Sequence, residues 1–238
     1  MEATILGLYI FFMGFIFIYS LIQGHLVLLY LKNLKRKRFG NKEELDDSFE
    51  PNVTIQLPIF NEKFVIERLI DKVAEMDYPK DKLEIQILDD SNDDTIEIVK
   101  NKVDQLKAKG FQITQFTRPK NSGFKAGALA EGMEVIKGEI SEILDADFPP
   151  EKDFLRKTLQ YFKDEKIGVV QTRWAHLNQE YSLLTKLQAF GLDAHFTIEQ
   201  SGKNEGGHFI NFNGTAGIWR KTCICLLYTS PSPRDGLL

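Results

Sequence analysis

The sequence predicts an α/β fold, a mostly parallel sheet with helices on both faces, preceded by one N-terminal transmembrane helix. Three observations carry this. The chain opens on an uncharged apolar run, its middle alternates apolar strands with helical patterns, and its acidic and basic clusters fall where strands end.

From Ile5 to Leu31 the residues ILGLYIFFMGFIFIYSLIQGHLVLLYL include no Asp, Glu, Lys or Arg. As a helix they reach roughly 40 Å at about 1.5 Å per residue, enough to cross a bilayer with tilt. The basic stretch KNLKRKR, Lys32 to Arg38, follows at once, and Lys and Arg clustered after a span keep that flank in the cytoplasm. A cleaved signal peptide carries its charge before a shorter apolar core, which is the opposite arrangement. Residues 1–38 are therefore expected to anchor the chain in a lipid bilayer, the cell (inner) membrane, with the remainder cytoplasmic. His25 sits about two turns from the basic flank, close enough to reach the interface as a neutral side chain. Residues 39–51, polar and acidic, read as a linker.

The alternation then begins. VTIQLPIF (Val53 to Phe60) reads as a buried strand, and EKFVIERLIDKVAEM places Phe64, Leu69, Val73 and Met76 on one helical face. LEIQILDD is a second strand ending in carboxylates. Ser91 or Asn92 is expected to cap the helix DDTIEIVKNKVDQLKAKG, which Gly110 stops. FQITQFT is the third strand, followed by the turn RPKNSGF and the small-residue helix KAGALAEGMEVI. EISEILDAD is the fourth strand, EKDFLRKTLQYF a helix and IGVVQTRW a fifth strand. Ligands of open α/β sheets bind outside the carboxyl ends of the strands, and LDDS, RPKNSGFK and DADFPP all fall there.

With 238 residues, 43% hydrophobic and 27% charged, the chain can build one main domain, assigned to residues 52–224. A net charge of -4 lacks the broad basic field that nucleic-acid binding needs, so no nucleic-acid partner is expected. Cys223 and Cys225 are neither a disulfide framework nor a metal-ligand pair, and His176, His195 and His208 lack metal-ligand spacing. Trp174 and Trp219 suit core packing better than sugar stacking. From Cys225 the run CLLYTSPSPRD breaks the pattern and resembles the translation of a sequencing-library adapter. Residues 225–238 are therefore set aside as a non-native tail, and the chain is expected to be a fragment ending near Ile224.

The stretch EILDADFPP, residues 142–150, carries the chemistry. Carboxylates at i and i+2 of a regular strand, here Asp145 and Asp147, point to one face, and hard divalent cations prefer carboxylate oxygen. Mg²⁺ takes one or two protein carboxylates and completes its shell with water and phosphate, so this pattern fits a metal and diphosphate site. Pro149 and Pro150 end the strand. The same pattern occurs in solvated turns that cap a helix. It also occurs at the nucleophile of haloacid-dehalogenase-type phosphatases, although Pro149 and the late strand position disagree with that. Asp90 after the second strand suits a ribose or base, or a helix cap. Lys125, opening a helix after a Gly-containing turn, suits a phosphate. No Gly-rich dinucleotide or P-loop signature is present.

Six blocks occur in order: LPIFNEKFVIERLI, LEIQILDDSNDDT, NSGFKAGALAEGM, LDADFPP, VQTRWAHLNQEYSLLTKLQAFGLDAHFTIEQ and FNGTAGIWRK. Together they resemble the inverting, membrane-embedded β-glycosyltransferases of family 2, in the cellulose-synthase-like group and nearest in wording to bacterial and plant β-mannan and glucomannan synthases. The resemblance runs from about Asn52 to Ile224. It implies a GT-A fold and the transfer of a hexose from a UDP- or GDP-sugar donor to a growing glycan acceptor with Mg²⁺ or Mn²⁺. Carried over by position, it puts Pro58, Asn61 and Glu62 beside the nucleotide, Asp90 on its base or ribose, and Lys125 on the diphosphate. Asp145 and Asp147 would bind metal, Asp145 also the donor, and Phe212, Asn213, Gly214 and Thr215 would line the acceptor end. The T-E-D block that supplies the general base and the Q-x-x-R-W block are absent; QTRW at Gln171 to Trp174 is one residue short and too early. The base is thus expected beyond residue 224, and the fragment is not expected to polymerise. Two alternatives stay open: a sugar-nucleotide-binding regulatory module without catalysis, and a single-sugar transferase acting on a lipid carrier.

Overall fold

The structure is a computed structural model that describes residues 2–39, 48–118 and 122–227. Most of the expected linker (40–47), part of the turn after the third strand (119–121), and the tail from 228 onward lie outside the described residues, as do the side chains of residues 33, 35–39 and 225–227. The chain divides into two compact units, one of residues 1–43 with 173–211 and one of residues 44–172 with 212–238.

The larger unit is the sheet. Its strands are β1 (Val53–Ile59), β2 (Leu83–Asp89), β3 (Gln112–Thr117), β4 (Ile140–Ile143), β5 (Val169–Gln171) and β6 (Gly217–Arg220), in the order β3-β2-β1-β4-β6-β5. β1 pairs in parallel with β2 and β4, and β2 with β3, whereas β6 runs antiparallel between β4 and β5. Every residue of β1 is buried, as a central strand covered on both faces requires. Pro58 is tolerated there because the pairing of β1 with β4 stops at Gln56 and Ile143, two residues before it. Ile55, Leu57, Ile85 and Ile87 are fully buried, worth roughly 1.5–3 kcal/mol each.

Helices close the faces. In chain order after the N-terminal helix they are α2 (Ile66–Ala74), α3 (Thr95–Ala108), α4 (Phe124–Glu134) and α5 (Phe154–Leu159), the last running into a 3₁₀ turn at Gln160–Lys163. α4 covers β1 and β2, with Ala128 and Leu129 packed on Leu88 and Ile143. α3 packs on α2 and β3. Three expectations need correction. Phe64 precedes α2 and is 90% exposed, so the buried face is Ile66, Leu69, Ile70 and Val73. α3 is not capped by Ser91 or Asn92: the Thr95 N–H donates to Asp93 Oδ1 at 3.0 Å, while Ser91 and Asn92 bond elsewhere. β4 ends at Ile143, so Asp145 and Asp147 lie beyond the strand, in a turn closed by the Phe148 N–H on the Asp145 carbonyl at 3.0 Å.

The smaller unit is helical. α1 (Glu2–Phe39) contains the apolar run, whose large side chains from Ile5 to Ile22 are exposed. It is one helix long and apolar enough to cross a membrane. α6 (Leu183–Ala194) continues through a π-helical turn (His195–Gln200) into α7 (Ser201–Glu205), and these helices were not anticipated. A capping box starts α6: Ser182 Oγ accepts from the Thr185 N–H at 3.1 Å, and the Ser182 N–H donates to Thr185 Oγ1 at 2.9 Å. α7 packs on α1. Gly202 and Gly206 permit this approach, since a Cβ at Gly202 would stand 2.8 Å from the Leu26 carbonyl oxygen and one at Gly206 3.1 Å from Leu29 Cδ1. Trp174 packs on Phe196 with ring centroids 5.6 Å apart.

Candidate active site

A cavity of about 610 Å³ opens at the carboxyl ends of β1, β2 and β4, where strand order reverses about β1. Pro58, Glu62, Asp90, Lys125, Asp145 and Asp147 line it together with apolar groups that include Val65 and Phe124. Six of the predicted positions, spread over ninety residues of sequence, thus share one concavity.

One wall is built from the end of β2. Asp89 points back into the fold, accepting from the Ser91 N–H at 2.9 Å and Gln115 Nε2 at 2.8 Å, so of this pair only Asp90 lines the cavity. Arg118, just after β3, grips Asp90 with two prongs, Nε to Oδ1 at 2.7 Å and Nη2 to Oδ2 at 2.5 Å. The side chains of Arg118 and Asp90 are only 7% and 5% exposed. The same guanidinium donates to the carbonyls of Ser122 (3.0 Å) and Phe124 (3.1 Å) and to Glu131 Oε1 (3.1 Å), which fixes the entry to α4. Arg118 was not singled out from the sequence; the available signal was a basic residue directly after a strand on the ligand edge.

Asn61 is placed next to this wall without lining the cavity. Its backbone is left-handed (φ 57°). Its N–H donates to Ser91 Oγ at 2.9 Å, its Nδ2 to Asn92 Oδ1 at 3.0 Å, and its Oδ1 accepts from the Asn92 N–H at 3.0 Å. It therefore stitches the loop after β1 to the loop after β2.

The other wall is looser. Lys125, in the first turn of α4, forms an ion pair with Asp145 and donates to the Gly214 carbonyl at 2.8 Å. Asp145 is about one-third exposed, and Asp147 is exposed. The expectation that strand periodicity aligns the two carboxylates is replaced by a turn that brings both to the same cavity. Two carboxylates with open space before them fit a hard divalent cation whose remaining positions are filled by water and phosphate. Among the described residues no cluster of three or more His, Cys, Asp or Glu offers a competing metal site. His195 instead pairs with Glu199 at 2.9 Å inside the π-helical turn.

Phe212, Asn213, Gly214 and Thr215 stand behind this second wall and do not line the cavity. Gly214 (φ 86°) and Ala216 (φ 52°) are both left-handed, so the loop is tightly bent. Thr215 Oγ1 accepts from the Asp145 N–H at 2.8 Å, which ties the loop to the acidic turn. Phe212 meets Trp219 edge-on, centroids 5.2 Å apart, so Trp219 is a packing residue. Three residues before Asp145, Glu142 is fully buried on β4 with both carboxyl oxygens unpaired, and burial pushes its pKa up to about 8.

Comparisons with known proteins bear on the family and the fold. The family model described as glycosyl transferase family 2 matches residues 54–227. The chain is 42% identical to glucomannan 4-beta-mannosyltransferase 1 of Oryza sativa subsp. japonica over 186 residues, 76% of this chain and 36% of that protein. It is 38% identical to glucomannan 4-beta-mannosyltransferase 7 of Arabidopsis thaliana over 221 residues, 87% of this chain and 40% of that protein. The chain thus spans well under half the length of these relatives. Among solved structures, the mannosyltransferase PcManGT from Pyrobaculum calidifontis, in complex with GDP-Man and Mn²⁺, superposes with a TM-score of 0.65 at 25% identity over 91% of this chain and 58% of that one. With a mixed sheet of GT-A type and a family match over residues 54–227, the chain belongs to glycosyl transferase family 2.

Proposed function

We propose that the chain works as the donor-binding part of a membrane-anchored inverting hexosyltransferase, which moves mannose from GDP-mannose to a growing β-glycan. The observation that carries this reading is the convergence of Asp145, Asp147, Lys125 and Asp90 on one cavity at the carboxyl edge of the sheet. Asp90, fixed by Arg118, accepts hydrogen bonds from the base or ribose, and Pro58 and Glu62 flank the nucleotide. Asp145 and Asp147 hold Mg²⁺ or Mn²⁺, and Lys125 sits against the diphosphate. When bound, the cation neutralises charge that develops on the leaving nucleoside diphosphate, where fixed positive charge is most effective. Phe212, Asn213, Gly214 and Thr215 form the acceptor end. On the family pattern the base that deprotonates the acceptor hydroxyl follows this stretch, so binding rather than proton transfer is assigned to the residues named here.

Anchoring in the bilayer is supported by α1 and by its own unit. Leu183, Leu184, Leu187 and Phe190 of α6 are all exposed, in the unit where α7 packs on α1 near Leu26 and Leu29, a few residues before the basic flank. An apolar helix face at that depth suits the interface of the membrane that α1 would cross, with the sheet unit cytoplasmic. The test is calorimetric titration of the detergent-solubilised chain with GDP-mannose and UDP-glucose, each with and without Mn²⁺. Mn²⁺-dependent binding of GDP-mannose supports the reading, tight binding of UDP-glucose alone reassigns the donor, and binding of neither by folded protein rejects it.

A further inference from the structure

The two left-handed residues of the 212–216 loop need something to hold them, and the residue that does so lies on another strand. Gln171, the last residue of β5, uses both ends of its amide. Its Nε2 donates to the carbonyls of Thr215 (3.1 Å), Ala216 (3.3 Å) and Thr172 (3.2 Å), and its Oε1 accepts from the Asn213 N–H at 3.1 Å. Thr172 adds a hydroxyl bond to the Ala216 carbonyl at 2.8 Å, and the Ala216 N–H reaches the Ile143 carbonyl at 2.8 Å. Left-handed backbone at a non-glycine residue persists only where its surroundings over-determine it. The Gln171 amide supplies that constraint on both sides of Gly214.

The constraint is passed on. Thr215 Oγ1 accepts the Asp145 N–H and the Gly214 carbonyl accepts from Lys125, so the direction of this loop sets where the acidic turn and the lysine meet. We propose that Gln171 is a positioning residue of the active site: its amide holds the 212–216 loop so that Thr215 and Gly214 fix Asp145 and Lys125 in the donor cavity. The proposal deepens the donor-site reading, on which its second measurement rests.

The test is Gln171→Glu in the full chain. A protonated carboxyl keeps one donor and one acceptor and so imitates the amide, whereas an ionised carboxylate keeps no donor and faces three carbonyls. Hydrogen exchange of the segments 144–148 and 212–216, compared between variant and parent at one pH, reads the coupling without any ligand. The other ionisable groups, Glu142 among them, are common to both proteins and cancel in that comparison. At pH 8 the variant is expected to lose protection in both segments by about tenfold, with 83–89 unchanged, and to return to within about threefold of the parent at pH 4, below the ordinary glutamic-acid pKa of about 4.3. Unchanged protection of 144–148 at pH 8, or an equal loss at both pH values that extends to 83–89, would overturn the proposal. The variant-to-parent ratio of Mn²⁺-dependent GDP-mannose affinity is expected to follow the same pH course. If the parent binds no donor while the exchange coupling appears, the donor reading falls and the positioning role stands.

Discussion

The two walls of the cavity hold their carboxylates in opposite ways. Asp90 is nearly buried and gripped by a guanidinium that is itself tied to two carbonyls and Glu131. Asp145 and Asp147 are open to solvent, and Asp145 is paired with a lysine whose flexible stem and point charge release a partner easily. The first arrangement costs desolvation that only a fixed cation offsets, and it yields a rigid acceptor for a rigid ligand part such as a base. The second leaves room for a divalent cation to replace the ammonium. Glu142 shows what burial does with no cation at all: the carboxyl takes up a proton.

The sharpest way to break this contrast is to remove the fixed cation. Arg118→Ala leaves the Asp90 carboxylate buried and unpaired, and destabilisation of about 3–5 kcal/mol is expected in chemical denaturation. A loss below about 1 kcal/mol would show that the pair is more solvated than its burial implies.

Glu142 sharpens the contrast from the other side. Its pKa is raised in the folded state, so the proton-bound form is favoured by folding and stability is lost as pH rises from about 4.5 toward 8. Between pH 4.5 and 7 the loss is on the order of 3 kcal/mol at about 1.4 kcal/mol per unit. Glu142→Met is expected to remove most of this slope, measured as unfolding free energy against pH. An unaltered slope would place the titration elsewhere.

The smallest effect concerns the exchangeable cation. Lys125→Met removes the charge that competes for Asp145, so Mn²⁺ binding without nucleotide is expected to tighten by about tenfold, while GDP-mannose binding in the presence of Mn²⁺ weakens by a similar factor. Weakening of both would mean that the lysine holds the acidic turn in shape rather than competing for it.

The sequence made the parallel half of the sheet plain, because strands such as Val53–Ile59 and Leu83–Asp89 place apolar residues at alternate positions and are separated by helical periodicity. It also located the carboxylates and Lys125, since polar residues at strand ends stand out against that pattern. Pairings across long sequence distances were not legible. Arg118 meets Asp90 and Gln171 meets Asn213 only after the sheet has assembled, and neither pair leaves a local signature. β6 is four residues long and entered through left-handed Ala216, too short for a period to show. α6 leaves Leu183, Leu184, Leu187 and Phe190 exposed, so its apolar spacing does not correspond to a buried face.

The central claim is that Asp145 and Asp147 bind a metal together with the donor diphosphate. Calorimetric titration of Asp147→Ala with GDP-mannose, with and without Mn²⁺, tests it most directly. Because Asp147 is exposed, the melting temperature is expected to stay near that of the parent, while the Mn²⁺-dependent part of the affinity falls by about a hundredfold or disappears. Binding that keeps its full Mn²⁺ dependence in a folded variant would contradict the claim.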